Sequence, residues 1–480
     1  MSNLRYLIIG GGPAGLNALE TIHQLDPTPA TLTLVSDEPP YARMALPYVL
    51  TGQIPAEQAF TGDAAYFQSL GVTTVFGRRA VKLDLAAHRV SLDDGQVLPY
   101  DRLLLATGSK PTRPPISGLD LPGVTTLWTL DDSRYLLRMP GERPHVLFIG
   151  AGFIGIIVLS ALFKRGWQLS VVELQDRLLP TMLDRSAGAI VERWLSRKGI
   201  STRTHIGVQS IIQRSSGRKQ ALLSNGEALE VDLAVVATGV QPNRQLAVQA
   251  GLACDRGILV NEFLRTSDPE VYAAGDVAQG PDLLGGAPAS HAIQPTAVDH
   301  GRVAGANMAG RRTRYAGSLL INTLDIAGLQ CAGYGRSNTA QGDMTTAIGD
   351  DGWSLRKYVW EGDRLVGVTL LGSPEEILFD ADLGMLKGLV QSQVRLGAWR
   401  DYLAKNPWDI RRVFAASRTA GKLLPETLLG RPAQPRAYRF QGIQPQTAPG
   451  PAYQHFAAAQ GQGPESFPSV IEMLEGSKSQ

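Results

Sequence analysis

The hydrophobic and polar positions alternate in blocks that predict two similar units along the chain. A short apolar strand at Tyr6–Ile9 leads into glycines, a stretch of small residues with helical spacing, and a second apolar strand at Thr31–Val35. The same order recurs later, with apolar strands at Val146–Ile149 and Leu169–Val172. Continuous apolar strands that alternate with helices are typical of parallel sheets covered by helices on both faces. The sequence therefore predicts an α/β fold with two strand–helix–strand units of the Rossmann type.

The pattern changes after these two units. Apolar runs at Arg356–Trp360 and Leu365–Leu371 flank a polar turn and predict antiparallel strands, hence a smaller α+β domain. Helical spacing then extends over Ser373–Leu424, with Ile377 on the apolar side, and the remaining chain is rich in Pro, Gln and Gly, as disordered tails are. We expect five parts: a first nucleotide unit (1–115 and 246–310), a second (116–245), an α+β domain (311–372), a helical extension (373–430) and a disordered tail (431–480).

Charge and cysteine content narrow the class of protein. The 46 Lys and Arg residues nearly balance the 44 Asp and Glu residues, so we expect neither nucleic acid nor an anionic membrane as partner. No apolar run reaches the length of an integral membrane segment, and the first strand begins almost at Met1, which leaves no room for a signal peptide. Cys254 and Cys331 lie far apart, which favours a cytoplasmic location and argues against a dithiol redox centre. No metal-ligand spacing occurs, so we expect no metal.

Each predicted unit carries a glycine motif, GGGPAG at Gly10–Gly15 and GAGFIG at Gly150–Gly155. In such motifs the first glycine makes a tight turn, the second lets the backbone approach a pyrophosphate, and the third lets the helix pack on the strand. An acidic residue about 20 residues further on accepts hydrogen bonds from a ribose hydroxyl. Asp37 or Glu38 can fill that role in the first unit and Glu173 in the second. A glycine-rich turn in an ordinary α/β domain could account for one copy, but two complete units with their acids favour dinucleotide binding.

Two further elements follow the glycine motifs. Apolar strands end in Ala-Thr-Gly at Ala106–Gly108 and again at Ala237–Gly239, where each nucleotide unit closes. A later strand ends in AGD and delivers Asp276 just past a glycine, where a carboxylate can accept a hydrogen bond from a ribityl hydroxyl. Taken alone, an aspartate in the position of Asp276 is more often a turn or helix-cap residue.

The ordered set GGGPAG, ATGS, GAGFIG, ATGV and AGD resembles the FAD-dependent pyridine nucleotide–disulfide oxidoreductase superfamily over residues 1–310. The segment Val35–Pro55 and the segments Leu319–Gly335 and Leu365–Gly372 are similar to the branch that lacks the redox disulfide. That branch includes rubredoxin and ferredoxin reductases, the NADH-nitrite reductase large subunit and apoptosis-inducing factor. The resemblance implies two Rossmann-like domains of three-layer ββα architecture, the first for FAD and the second for NAD(P)H, and a C-terminal α+β domain.

The resemblance also implies which residues bind each cofactor. Asp37 or Glu38 would hold the FAD adenosine ribose, Arg43 the phosphates or adenine, Val81 the adenine, and Asp276 the ribityl chain. The helix predicted from Gln294 to Met308 would point its N-terminus at the flavin pyrimidine edge, where the helix dipole stabilises negative charge. The remaining FAD positions are Gly10, Gly12, Pro13, Ala14, Gly15, Leu16, Ala106, Thr107, Gly108, Gln294, Pro295 and Thr296. The NAD positions are Gly150, Gly152, Phe153, Ile154, Gly155, Glu173, Ala237, Thr238 and Gly239.

The chain departs from its relatives around the flavin. Relatives with a redox cysteine carry it near Met44–Leu46, and this chain has none there. Tyr48 and Ile157 stand where the branch often has a lysine and a glutamate that pair beside the reactive edge of the flavin, and an arginine often found near Trp128 is missing. The catalytic residues are therefore unknown, and Tyr48 and Ile157 are the candidates at the flavin edge.

The residues favour NADH as the reductant. The carboxylate of Glu173 can bond two ribose hydroxyls but would repel a 2′-phosphate, whereas Arg177 could soften that preference or be a surface arginine. His291 and His300 lie near the predicted flavin helix, with cap, surface and catalytic roles all open.

The resemblance implies an FAD-dependent NAD(P)H oxidoreductase that passes electrons to a small redox protein, a quinone-like molecule or oxygen. The alternative is a non-catalytic or regulatory flavoprotein subunit that binds a partner in a nucleotide-dependent way. In either case the protein could be a homodimer or a subunit of a complex.

Overall fold

A computed structural model describes residues 3–138, 143–339, 342–376 and 378–419. In chain order, its first strands are β1 Arg5–Ile9, β2 Thr31–Ser36, β3 Thr73–Phe76, β4 Ala80–Asp84, β5 Arg89–Leu92, β6 Val97–Pro99, β7 Arg102–Leu105, β8 Ser109–Pro111, β9 Val124–Thr125, β10 His145–Ile149, β11 Gln168–Val172 and β12 Ser201–Arg203. The later strands are β13 Val208–Gln213, β14 Lys219–Leu223, β15 Ala228–Val231, β16 Leu233–Val236, β17 Val240–Pro242, β18 Ile258–Leu259, β19 Val271–Ala273, β20 Ala278–Gln279, β21 Ile321–Ile326, β22 Leu329–Gly335, β23 Asp343–Ile348, β24 Leu355–Glu361 and β25 Arg364–Gly372.

The helices alternate with the strands of the first two sheets and follow those of the last. They are α1 Pro13–Leu25, α2 Leu46–Leu50, α3 Ala64–Ser69, α4 Leu130–Leu137, α5 Phe153–Lys164, α6 Arg185–Arg197, α7 Gln245–Gln249, α8 Gln294–Met308, α9 Phe379–Ser392, α10 Ala398–Lys405 and α11 Ile410–Ala416. Among the described residues, none of these helices combines the length and apolar character needed to cross a bilayer.

The first sheet is parallel, with strand order β19-β7-β1-β2-β3. Its strands are apolar runs buried in a core that includes Leu7, Ile8, Leu34 and Leu104, and this core also contains residues of α1, of α8 and of the antiparallel strands β4 and β5. The chain leaves β1 toward β2 on one side and later returns with β7 on the other side, so a crevice opens at the carboxyl end of β1. The antiparallel sheet β4-β5-β6 is inserted before β7.

The second sheet repeats this plan, with strand order β12-β11-β10-β16-β9 and a crevice at the carboxyl end of β10. A second antiparallel sheet, β13-β14-β15, is inserted before β16. The two halves are joined where β8 pairs antiparallel with β17, directly after the two Ala-Thr-Gly turns. The predicted α/β fold with two Rossmann-like units is therefore confirmed. The domain boundaries proposed from the sequence stay predictions.

The C-terminal domain is an antiparallel sheet of order β21-β22-β25-β24-β23, with helices α9, α10 and α11 packed after it. The predicted strand pair and the helices that follow it are present, although Ile377 and residues 420–480, including the predicted tail, lie outside the described residues. On β24, the fully buried guanidinium of Arg356 pairs with Glu376 and, at 3.1 Å, with Asp382 of α9. This cluster attaches the helical extension to the sheet.

The C-terminal sheet packs against the second nucleotide unit. Leu329, Cys331 and Leu371 belong to the same apolar cluster as Leu159 and Trp194 of helices α5 and α6. A buried ion pair crosses the same boundary.

In that pair, the ammonium of Lys357, 1% exposed, lies 2.7 Å from the carboxylate of Asp184, the N-cap of α6. The sheet and the second unit thus share one core.

Candidate functional site

The first glycine loop is shaped by contacts that no side chain could make. Gly10 has φ of +116°, and a Cβ built on it would lie 2.1 Å from the carbonyl oxygen of Ala106. A Cβ on Gly15 would lie 2.0 Å from the carbonyl oxygen of Gly10, so α1 approaches β1 closely. Gly12 is the N-cap of α1, and a Cβ built on it would have no other heavy atom within 4 Å. The unpaired N–H groups of the first turn therefore face free space that suits a pyrophosphate.

The second loop repeats this geometry. Gly150 has φ of +97°, and its Cβ would lie 2.6 Å from the carbonyl oxygen of Ala237. A Cβ on Gly155 would lie 2.9 Å from the Cβ of Ala237, and Gly152 is the N-cap of α5. Phe153 and Ile154 begin that helix and are partly buried. The predicted glycine positions and both Ala-Thr-Gly turns thus lie together at the two crevices.

Glu173 follows β11 and is 7% exposed. One carboxylate oxygen accepts the N–H of Ala151 in the glycine loop at 2.7 Å, and the other accepts the N–H of Gln175 at 2.8 Å. The acid therefore holds the second glycine loop to the segment that follows β11. Arg177 is engaged elsewhere, because its guanidinium pairs with Asp176 at 2.5 Å and donates to the carbonyl oxygens of Leu183 and Pro180.

The first unit uses different residues at the corresponding place. The N–H of Gly10 donates to the carbonyl oxygen of Val35, and the N–H of Gly150 donates to that of Val172. The residues that follow these two acceptors are therefore equivalent, and Ser36 occupies the position of Glu173. Ser36 Oγ accepts the N–H of Gly11 at 3.3 Å. The two candidate acids come next, and Asp37, with a half-exposed side chain, pairs with Arg79 at 3.0 Å.

Glu38 belongs to a network around Arg43. Its carboxylate accepts the hydroxyl of Tyr41 at 3.0 Å and pairs with the guanidinium of Arg43 at 2.5 Å. Burial raises the pKa of Glu38, while Arg43 and Tyr41 act in the opposite direction. Arg43 also donates to the carbonyl oxygen of Trp128 at 2.7 Å, and its guanidinium lies over the rings of Tyr41 and Trp128, 5.4 and 5.2 Å from their centroids. Tyr41 and Trp128, not predicted as site residues, hold Arg43 between them.

Asp276 lies just after β19, where the charge of Arg43 acts on it. Its carboxylate accepts the hydroxyl of Ser109 at 2.6 Å. Burial raises the pKa of Asp276, and the hydrogen bond from Ser109 and the charge of Arg43 oppose that effect. The preceding Gly275 donates its N–H to Nδ1 of His300 at 3.3 Å. Ser109, which the sequence did not single out, and His300, whose role the sequence left open, therefore both bond to this turn.

Helix α8 begins beside the first glycine loop. Its N-cap Ile293 provides no side-chain acceptor, and Gln294 and Pro295 are exposed. The helix crosses α1 closely, since a Cβ on Gly301 would lie 2.2 Å from the carbonyl oxygen of Ala14. Two helix N-termini, Asp276 and Arg43 thus converge on one crevice, and this donor set fits FAD.

The remaining predicted residues lie around this centre. Val81, on β4, is 50% exposed. The hydroxyls of Thr107 and Thr238 donate to the carbonyl oxygens of Asn243 and Thr112, which ties the two Ala-Thr-Gly turns to the connecting strands.

Tyr48 and Ile157, which differ from the residues usual in the similar branch, lie on the contacting helices α2 and α5, and Met44 lies just before α2. Tyr48 on α2 is 56% exposed, and Ile157 on α5 is partly buried. The two helices meet, since Arg165, which follows α5, donates to the carbonyl oxygen of Leu50 at 2.9 Å. A direct contact between Tyr48 and Ile157 stays a prediction. Met44 is 51% exposed.

Two parallel sheets that each carry a glycine loop at the switch point define a protein with two dinucleotide-binding sites. The family model described as pyridine nucleotide-disulphide oxidoreductase matches residues 4–294. The chain belongs to this family of oxidoreductases, as the order of its motifs predicted.

Several relatives agree with that assignment. The NADH-dependent phenylglyoxylate dehydrogenase subunit epsilon of Aromatoleum evansii is 31% identical, over 86% of this chain and 97% of that protein. Rhodocoxin reductase of Rhodococcus erythropolis is 32% identical, over 77% of this chain and 87% of that protein. Nitrite reductase [NAD(P)H] of Bacillus subtilis is 28% identical over 78% of this chain, which spans only 46% of that longer protein.

A solved structure matches over most of the described fold. The NAD-dependent persulfide reductase from A. fulgidus superposes with a TM-score of 0.77 at 27% identity, over 88% of this chain and 83% of that one.

Proposed function

We propose that the protein is an FAD-dependent NAD(P)H oxidoreductase that accepts a hydride from NADH and passes electrons to an external acceptor. The observation that carries this proposal is the pairing of two glycine loops, each at a switch point, with Asp276 and the N-terminus of α8 beside only the first. FAD, when bound in the first crevice, would supply the hydride-accepting and electron-transferring chemistry.

This chain's residues hold and orient the two nucleotides. The N–H groups at the start of α1 would bind the FAD pyrophosphate, with Arg43 adding positive charge. Asp276, kept in place by Ser109, would accept a ribityl hydroxyl. Glu38 is the better candidate of the two acids for the adenosine ribose, because it is more buried and adjoins Arg43, whereas Asp37 pairs with Arg79 at the surface.

NADH is the preferred reductant in this proposal. The carboxylate of Glu173 is buried at the edge of the second crevice and would face a ribose hydroxyl, whereas a 2′-phosphate would meet its negative charge. Arg177 is already bound to Asp176 and to backbone carbonyl oxygens, so it offers no free cation for such a phosphate.

The acceptor is proposed to be a small redox protein, by analogy with rhodocoxin reductase. Cys331 is fully buried in the C-terminal sheet and burial raises its thiol pKa, so it is unsuited to carry electrons onward. A quinone-like molecule or oxygen would need access to the same flavin edge. We also keep the cytoplasmic location as a prediction.

A second candidate is a subunit of a larger NADH-dependent complex. The match to nearly the whole length of a protein named as the epsilon subunit of a dehydrogenase favours it. In that case the flavoprotein would feed or receive electrons through a partner subunit, and a homodimer would not be required.

The test is rapid mixing of the purified, FAD-loaded protein with NADH or NADPH under anaerobic conditions. We expect one FAD per chain and bleaching of the flavin band near ~450 nm, faster with NADH than with NADPH. Protein that takes up no added FAD would refute the proposal. Protein that binds FAD but is never reduced by either nucleotide would favour a non-catalytic subunit.

A further inference from the structure

His300 lies inside the protein beside the turn that carries Asp276. It is on the second turn of α8 and is 2% exposed. Its Nδ1 accepts the N–H of Gly275, which has φ of +76° and directly precedes Asp276. On the other side of the turn, Asp276 accepts the hydroxyl of Ser109. The turn is therefore held at both ends by side chains from distant parts of the chain.

The surroundings of His300 fix its protonation. Because a backbone N–H points at Nδ1, that nitrogen must be an acceptor and the proton must be on Nε2. Nε2 is buried and has no hydrogen-bond partner among the described residues, and the ring of Tyr315 packs edge-on at 4.8 Å. A second proton would place a donor against the Gly275 N–H and leave a buried charge without a counter-ion.

We propose that His300 is a positioning residue for flavin binding, which holds the Gly275–Asp276 turn through neutral Nδ1 so that Asp276 faces the ribityl chain. This inference rests on the proposed binding of FAD in the first crevice. The carbonyl oxygens of Gly275 and Asp276 accept hydrogen bonds from the N–H of Ala278 and the hydroxyl of Ser290. His300 adds the bond to the N–H of Gly275, directly before Asp276. Loss of the acceptor would release the turn and weaken FAD binding without touching FAD itself.

The titratable groups around His300 set the direction of its pH response. Burial, and then the nearby His291, lower the pKa of His300 to about 4. His291 itself pairs with Asp282 at 3.4 Å, and Tyr315, whose ring packs on His300, is in turn under the influence of Asp299 and Asp282. Because the pKa of His300 is lower in the folded protein than the unperturbed value of about 6.5, its contribution to stability is full above pH ~6.5. It is lost as the pH falls toward 4.

The experiment compares FAD binding by apoprotein variants, using the quenching of FAD fluorescence, with thermal unfolding of the same samples. His300→Leu removes the acceptor, and His300→Gln restores one through its side-chain carbonyl oxygen. Val303→Ala, at a fully buried position on the same helix, is the control for general loosening of α8. We expect His300→Leu to raise the Kd for FAD roughly tenfold, the size of one buried hydrogen bond, and His300→Gln to stay within about threefold. Val303→Ala should lower Tm and leave the Kd unchanged.

A second measurement keeps the inference testable if His300→Leu does not fold. The Tm of the wild-type apoprotein should fall more steeply than that of His300→Gln between pH 7 and about 4.5, because only the wild type gains a proton at this site on unfolding. Equal Kd values for wild type and His300→Leu, or identical pH profiles for wild type and His300→Gln, would overturn the inference. Failure of the wild type to bind FAD at all would instead refute the proposed function.

Discussion

Replacement of Glu173 by glutamine tests the double role of this acid. The carboxylate accepts two backbone N–H groups, at 2.7 and 2.8 Å, and both bonds are strengthened by its charge. An amide can satisfy one N–H through its oxygen, but its NH₂ group then meets the other. Leaving one buried N–H without an acceptor costs about 1–3 kcal/mol, and loss of the charge weakens the remaining bond. We expect Glu173→Gln to lower the free energy of unfolding by about 2–4 kcal/mol.

Two assays measure these effects. Thermal unfolding without nucleotide should show a Tm lower by about 2–4 °C, at roughly 1 °C per kcal/mol for a chain of this length. Flavin reduction should show that the NADH:NADPH ratio of kcat/KM falls about tenfold, because the charge that repels a 2′-phosphate is lost and the amide oxygen is a weaker acceptor for the ribose hydroxyls. Glu192→Gln, a partly buried neighbour on α6 that does not contact the loop, is the matched control. A Glu173→Gln protein with wild-type Tm and an unchanged ratio would refute this account of the second crevice.

Three further perturbations test other parts of the molecule. The double variant Cys254→Ser, Cys331→Ala should still be reduced by NADH. Loss of reduction in folded, FAD-loaded protein would contradict the proposed chemistry. Ile157→Glu should slow flavin reduction and lower Tm, and added Tyr48→Lys should recover part of both; strict additivity in this double-mutant cycle would show that the positions do not meet. Asp382→Ala should cost about 1.5–3 kcal/mol in denaturant unfolding, since it removes one of the two carboxylates that pair with a fully buried guanidinium; a cost under ~1 kcal/mol would contradict that reading.

The parts of the fold that could be predicted are those encoded by local pattern. The glycine loops, the apolar strands beside them and the helix Gln294–Met308 each depend on residues close in sequence, and all are found where the pattern placed them. The strands between the two glycine loops are less predictable from local pattern, because β3 joins the parallel sheet whereas β4, β5 and β6 form a separate antiparallel sheet.

The contacts that complete the candidate site could not be predicted in this way. Trp128 reaches Arg43 across 85 residues, and Ser109 reaches Asp276 across 167. Neither serine nor tryptophan carries a signal that distinguishes such a partner from an ordinary surface or core residue. The equivalence of Ser36 and Glu173 likewise becomes evident only when the two units are compared through their backbone hydrogen bonds.

The core shared by the second nucleotide unit and the C-terminal sheet bears on how such chains can recombine. Trp194, Cys331 and Leu371 lie in one apolar cluster, and Lys357 forms its buried ion pair with Asp184 across the same boundary. A chimera that exchanges only the segment between the two Ala-Thr-Gly turns would leave Lys357 without its counter-ion and would oppose two unmatched apolar faces. The inheritable module is therefore discontinuous, because a change of the second nucleotide unit must bring the C-terminal sheet with it.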